Sequence, residues 1–553
     1  MPKSAELIKI TSLFLTISIT LFFFQGLRAV FSSLFGIIYD QVFDGPVTPW
    51  LGTSSLLLLV ALTAPSFIPG RFERGLLPLA IAICVLARLA MTLSRTEIRY
   101  WSALLVVSAG AFFLRVYLER MPREAMIAIL GALVAGQLLR NLGTTYDLSL
   151  RPGWLAVQTI WSVLLVAALL WGREDIPAEA RSPSWLVGLA FGAFLFLEIS
   201  LLSLPNGISR WSDGSYAVLV PALLAVTVLP LVPAVWETTQ IWLGTNLAPR
   251  VLVALALTTG LALGYFRAGS LAGLALLLVQ AVLLLSIIIL FGVERSDGQS
   301  RLWLPLGFVL FLLFSYFNAF AFTYPYTLPA MRGMGWAVYL IAAAVFSLAL
   351  LIAPRAVELM RAPVTSLAIL GGLALVVSAI VSFPRSTGSL LAEGSLSVAT
   401  YNIHYGYDDE WNFTLDRQAE TIRESGADVV ALQEVDTGRF TSYSVDDALY
   451  LARRLGMRVA YLPTIEHLTG IAVLYRGPQS SITSRLLTSN EEQTGIVGVS
   501  LSLGETEIGT YGVWIGLDPS DAERQVEQAL EFIGDQSVVA FAGDFNLEHG
   551  DPP

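Results

Sequence analysis

DVVALQEVD, residues 428–436, decides how the last part of this sequence folds. Val429 to Leu432 form an unbroken apolar run, too short for a helix and suited to a strand covered on both faces. The run stops at Gln433 and Glu434, so its C-terminal end is polar. Two other segments do the same. LSVATYNI (396–403) reaches Asn402, and SVVAFAGDFN (537–546) reaches Asp544 and Asn546. Between them the pattern predicts helices over 414–426, 446–457 and 521–534, the first stopped by Gly426, and strands over 470–476, 495–503 and 508–517. Mixed strands and helices of this kind make a layered α/β domain, and polar strand ends are where such domains build sites.

Taken singly, a glutamate at a strand end is most often a solvated terminus. Three polar ends in one domain carry more weight. Carboxylates and amides are hard oxygen ligands, suited to Mg²⁺ or Mn²⁺ and not to zinc. A glutamate with one or two aspartates holds a hydrated cation and leaves positions open for a phosphate, which is the chemistry of phosphoester hydrolysis.

In their order, TYNIHYG (400–406), LQEVD (432–436), GIAVLYR (470–476) and GDFN (543–546) resemble the endonuclease/exonuclease/phosphatase superfamily. The resemblance covers Leu396 to Pro553. It implies a four-layer α/β sandwich of DNase-like type and a divalent-metal-dependent phosphoesterase. It implies Glu434 as principal metal ligand, with Asn402 helping to place the metal and its water. Asp544 would orient or activate the nucleophilic water, Asn546 would hold the scissile phosphate, and Gln433 would support them from behind. His404 and His467 fit head-group contacts and fit hydrogen-bonded loop histidines equally. Two departures stand out. WIGL (514–517) puts Gly516 where the family has a phosphate-contacting histidine. The family's closing Ser-Asp-His segment has no counterpart, so the domain is expected to be incomplete at its C-terminus, as a fragment, as a catalytically impaired pseudoenzyme or as a domain completed by another chain.

The rest of the sequence obeys different rules. The chain is 55% hydrophobic and 14% charged, against roughly 25% charged in an ordinary soluble domain. Before Ser386 there are 24 Lys and Arg against 17 Asp and Glu; from Ser386 on there are 9 against 26. Apolar runs begin near Ile8, Ser54, Leu76, Ser102, Ala125, Trp154, Trp185, Ala217, Val251, Leu271, Leu304, Trp336 and Thr365. They predict a polytopic all-α membrane bundle of about thirteen spans over residues 1–385. Ala29 to Phe43 also fits a short interfacial helix. A Ser/Gly-rich linker at 386–395 leads to the α/β domain at 396–553. The first run lacks a small-residue cleavage site and reads as an anchor that stays. The single cysteine, Cys84, excludes an intrachain disulfide.

With the N-terminus inside, thirteen Lys and Arg fall in inside loops and seven in outside ones. That bias, with an odd number of spans, puts the C-terminal domain on the extracytoplasmic side of an integral membrane protein. Glu198, in FLFLEISLL, is the carboxylate that costs most to bury. It is a candidate for a lipid or ion role, or for a structural pair with Arg88 or Arg115.

The acidic C-terminal part holds no lysine, which argues against a nucleic-acid partner. A membrane lipid is the better substrate, with protein partners left open. The layout is similar to GPI-anchor lipid-remodelling proteins of the Cwh type, as are TYNIHYG and HLTGIAVL (467–474). The 31 Arg against 2 Lys suggest a high-GC bacterium and its plasma membrane. GPI anchors are absent there, so another phospholipid or glycolipid would serve. Hydrolysis, a non-catalytic lipid-binding role, and transport by the bundle through Glu198 with the soluble domain as accessory are the three readings the sequence leaves.

Overall fold

The computed structural model describes residues 5–43, 49–171, 176–177, 179–292, 301–354, 360–384 and 395–547. The chain divides into two compact units that do not follow its linear order. One comprises Met1–Gly143, Asp147–Asn318 and Trp336–Phe383. The other comprises Thr144–Tyr146, Ala319–Gly335 and Pro384–Pro553. The linker expected at 386–395 lies outside the described residues except for Ser395.

The first unit is helical. Among the described residues, 10 helices are long and apolar enough to cross a membrane, or up to 11 if one bent pair is a single span. Three of the thirteen runs account for the lower number. Gly52–Phe67 is a shorter apolar helix that finishes in a 3-10 turn containing Pro65, below the roughly 20 residues a span needs. Gly70–Ala90 carries Arg71, Glu73, Arg74 and Arg88, which thin its apolar stretch. The run beginning near Ala217 bends by 73° between Tyr216–Leu231 and Pro233–Thr245, where Pro233 cannot donate a helical hydrogen bond. Ala29 to Phe43 is the end of one 39-residue helix, Ala5–Phe43, and not a separate element.

Buried polar groups in this unit are organised by carbonyls and carboxylates. Glu73 accepts from Arg115 (2.7 Å) and Arg120 (2.5 Å). The Arg250 guanidinium gathers the carbonyls of Leu243, Gly244, Leu350, Ala353 and Pro354. Gly188 and Gly192 allow a close helix contact: a Cβ on Gly188 would stand 1.8 Å from the Trp303 carbonyl oxygen, and one on Gly192 2.0 Å from that of Gly307. Small residues spaced four apart are the usual means of such approach.

The second unit is built on two four-stranded sheets, with strands β1 (Val398–Asn402), β2 (Val429–Asp436), β3 (Arg458–Ile465), β4 (Thr469–Tyr475), β5 (Gln479–Leu486), β6 (Gly495–Leu503), β7 (Thr506–Trp514) and β8 (Val539–Asp544). Their orders are β1-β2-β4-β3 and β5-β6-β7-β8. β1 runs parallel to β2 and β7 parallel to β8; every other pairing is antiparallel. One core joins the inner faces, with Val429, Ile471 and Val473 from the first sheet meeting Val497, Val499 and Trp514 from the second. A second core packs Ile496, Val513 and Ile515 against Ala522, Ala529 and Ile533 of a helix.

Helices α1 (Leu415–Ser425), α2 (Asp447–Leu455) and α3 (Pro519–Ile533) fall where the pattern predicts. Gly426 and Gly456 end the first two in left-handed conformations (φ 67° and 64°), as glycine does at low cost. Asp446 caps α2 by accepting from Leu449 N–H (2.8 Å), and Asp518 caps α3 through the Ser520 and Asp521 N–H groups. Strands β3 and β5 lie outside the segments the pattern predicts. Both are sheet edges. β3 contains Pro463, and β5 is exposed along its whole length.

Candidate functional site

The parallel pairs determine where the polar strand ends go. Register pairs Asn402 with Gln433 across β1 and β2, and Trp514 with Asp544 across β7 and β8. Asn402, Glu434 and Asp544 thus come from the C-terminal ends of strands in both sheets. The Asn402 amide joins them: its Nδ2 donates to Glu434 Oε1 at 3.1 Å and to Asp544 Oδ2 at 2.9 Å. Its Oδ1 accepts from His404 N–H at 3.0 Å.

The backbone is strained around this junction. Glu434 has φ 52°, His404 50°, Tyr405 56° and Asn546 49°, each a left-handed conformation that costs a non-glycine residue on the order of 1–3 kcal/mol. At Glu434 the register between β2 and β4 shifts, between Leu432 and Val435. Without that bulge Glu434 would continue the alternation of the strand. Gly543 in the GDFN turn is required by space, since a Cβ there would lie 2.3 Å from the Val513 carbonyl oxygen.

Glu434 Oε2 is buried and has no hydrogen-bond partner. Burial pushes the Glu434 carboxyl up to about 8; the Asn402 amide opposes this, while the negative charges of Glu492, Asp544 and Asp436 add to it. An enclosed acceptor oxygen facing like charges is a group short of a cation or a proton. The two carboxylates are hard oxygen donors and fit a divalent cation such as Mg²⁺ or Mn²⁺; the Asn402 amide faces them with Nδ2, so its oxygen would join such an ion only with the amide turned over. Among the described residues no three His, Cys, Asp or Glu side chains are grouped to hold a metal, so such an ion would depend on Asn402 as well as on Glu434 and Asp544.

The other sequence-derived residues are placed as follows. Asn546 Nδ2 donates to the Ile515 carbonyl (2.7 Å), and its N–H donates to Asp544 Oδ1 (3.1 Å). This fixes the side chain beside the junction. Gln433 is buried, accepts from Thr400 Oγ1 (3.2 Å), and leaves its Nε2 without a hydrogen-bond partner. The His404 ring packs on Trp411, centroids 4.1 Å apart. His467 lies in the β3–β4 turn at φ 64°, at the end of the sheet where β4 begins opposite Asp436. Gly516 holds no imidazole; its N–H donates to Gln525 Oε1 (2.8 Å).

Glu198 belongs to the helical unit. It opens a π-helical turn, Glu198–Leu202, and is fully buried. Oε2 accepts from Gln280 Nε2 (3.2 Å), and Oε1 has no hydrogen-bond partner. Neither arginine expected as its partner fills that role: Arg115 pairs with Glu73, and Arg88 donates to Gln25 and Ser149. Arg28 reaches the Glu198 and Ile199 carbonyls instead.

Glu492 and two residues that bear on it, Arg439 and Tyr326, escape sequence reasoning. Glu492 sits in a polar loop, SNEEQTG (489–495), that carries no distinguishing pattern. Burial pushes it up to about 7, against the Tyr326 hydroxyl and the Arg439 charge. Arg439 is buried, lies 3.5 Å from Asp436 Oδ1, and stacks over the rings of Phe322 and Tyr405. Tyr326 is distant in sequence, between two candidate spans.

Residues 399–553 match the model of the Endonuclease/Exonuclease/phosphatase family. Solved structures similar to it include an endonuclease/exonuclease/phosphatase from Beutenbergia cavernae (21% identity, 29% of this chain, 49% of that one, TM-score 0.25). Another is ANGEL2, a 2′,3′-cyclic phosphatase, in complex with adenosine-2′,3′-vanadate (16% identity, 28% and 55%, TM-score 0.25). A third is truncated TDP2 from Caenorhabditis elegans (17% identity, 28% and 63%, TM-score 0.22). The chain spans between 49% and 63% of the length of these three structures.

Proposed function

We propose that this protein is a membrane-tethered, divalent-metal-dependent phosphodiesterase that acts on a lipid-linked phosphate on the extracytoplasmic side. The observation that carries the proposal is the Asn402 amide bridging Glu434 and Asp544 beside the unpartnered Glu434 Oε2. Glu434 and Asn402 would hold the ion. When bound, that ion would offset charge on the phosphate and on the leaving oxygen. Asp544 orients a water molecule whose oxygen attacks phosphorus as the ester P–O bond breaks, with a proton passing to the departing alcohol. Asn546, fixed by the Ile515 carbonyl, hydrogen-bonds the phosphate. Two further features support a lipid substrate: the candidate spans, and an acidic, lysine-free C-terminal part that would repel a polyanion.

The test is release of phosphorylated head group from phospholipid vesicles by the purified full-length chain. Activity that EDTA abolishes and that Glu434→Ala lacks supports the proposal. Equal activity in Glu434→Ala contradicts it. Gly516 favours a second reading, a catalytically impaired domain that binds lipid without cleaving it. Vesicle binding without release under any divalent ion would favour that reading.

A further inference from the structure

The second unit contains a stretch that belongs, by sequence, to the helical part of the chain. Residues 319–335 connect the candidate spans Trp303–Phe322 and Gly335–Ile352, yet they cluster with the C-terminal domain. The stretch grips one loop of that domain, the connection between β5 and β6. Tyr324 Oη donates to the Glu491 carbonyl (2.7 Å) and accepts from Gln493 N–H (2.9 Å). Arg332 donates to the carbonyls of Ser489 and Asn490, both at 3.0 Å, and to Gln493 Oε1 (3.3 Å). Tyr326 Oη donates to Glu492 Oε2 (3.2 Å).

The register shows what that loop leads to. It enters β6 at Gly495, which pairs with Trp514, and Trp514 pairs with Asp544. Glu492 therefore stands at the end of the second sheet where Asp544 stands, three residues before that row begins. Its negative charge adds to those of Asp544 and Asp436 in pushing the Glu434 carboxyl up. Like charges that bear on one another in this way raise the attraction of the site for a cation, even where they do not all touch it.

We propose that Tyr326 is a positioning residue for the phosphodiesterase site: its hydroxyl holds Glu492 where that carboxylate adds to the attraction for the divalent ion at Glu434, Asn402 and Asp544. Glu492 thereby becomes a site residue, and a segment between two spans becomes part of the catalytic domain. The inference rests on the metal-dependent reading above.

The full-length protein is titrated with Mn²⁺ by electron paramagnetic resonance, and the Mg²⁺ concentration for half-maximal hydrolysis is measured in parallel. One charge at short range and intermediate dielectric changes ion affinity by about tenfold. Glu492→Gln is expected to weaken Mn²⁺ binding and raise the Mg²⁺ requirement by about that factor, while kcat at saturating Mg²⁺ changes far less. Glu492→Asp recovers part of the loss. Tyr326→Phe moves both quantities in the same direction by a smaller factor. Thermal unfolding accompanies each variant. Lower stability with unchanged Mn²⁺ affinity would reduce Tyr326 to a structural contact and overturn the inference. Wild-type Mn²⁺ affinity in both Tyr326→Phe and Glu492→Gln overturns the inference and leaves the hydrolase standing. A wild-type protein that binds no Mn²⁺ overturns both.

Discussion

The helical unit and the C-terminal unit differ in what most of their buried charge meets, with Glu198 the helical exception and Asp436 the C-terminal one. In the first, cationic side chains are buried and met: Glu73 serves two arginines, and Arg250 collects five carbonyls. In the second, two buried carboxylates have oxygens that are unmet. Glu434 lacks a partner on one oxygen, and Asp447 lacks one on both. Buried polar groups in folded proteins are overwhelmingly satisfied, so the contrast separates structural charge from charge that awaits something. Arginine within the helices is part of the scaffold. Carboxylate at the strand ends is what the proposed ion site would use.

The largest effect should come from the unmet side. Glu434→Ala is expected to lower phosphodiester hydrolysis at least about a hundredfold, with the unfolding temperature unchanged or raised, because a buried carboxylate facing like charge is removed. A rate within a few-fold of wild type would erase the contrast. The met side should respond in stability instead. Glu73→Ala leaves Arg115 and Arg120 buried without their carboxylate, and should destabilise the helical unit by about 3–5 kcal/mol, read as thermal unfolding in detergent.

Asp447 sharpens the comparison through pH. It is buried at the start of α2, and burial, then the charges of Asp436 and Asp446, push its carboxyl well above the carboxylate range. The native state keeps the proton that the unfolded chain releases at the ordinary value. Its stabilising contribution is therefore complete in acid and is lost as pH rises through the native value. Asp447→Asn removes that dependence, so its unfolding temperature should exceed that of wild type by more at about pH 8 than at about pH 5. A gain independent of pH would place the cost in packing. The smallest effect belongs to a cap that is already satisfied: Asp446→Ala should cost about 1 kcal/mol, measured by denaturant unfolding.

Sequence made the site more legible than its surroundings. Asn402, Glu434 and Asp544 could be read because each ends a short strand-like segment, of which only β2 is largely buried, because their motifs resemble those of a known family, and because parallel pairing then brings such ends together. The two missed strands carry no such signal. β5 is polar and exposed, and β3 is interrupted by Pro463. Edge strands need not be apolar, since one side of their ladder faces no partner. Glu492 and Tyr326 were illegible for another reason. Their roles depend on a contact between residues 166 apart in sequence, and nothing local marks either one. In the helical unit, hydropathy locates the apolar runs, but the bend at Pro233 and the charges of Gly70–Ala90 are matters of geometry that decide which runs can span.

The central claim is that Asn402, Glu434 and Asp544 share one divalent ion. Titration of the full-length protein with Mn²⁺, followed by electron paramagnetic resonance, tests it without any substrate. One bound ion per chain is predicted, lost in Glu434→Ala and weakened in both Asn402→Ala and Asp544→Ala. Binding that survives Glu434→Ala, or a wild-type chain that binds no Mn²⁺, would contradict the account.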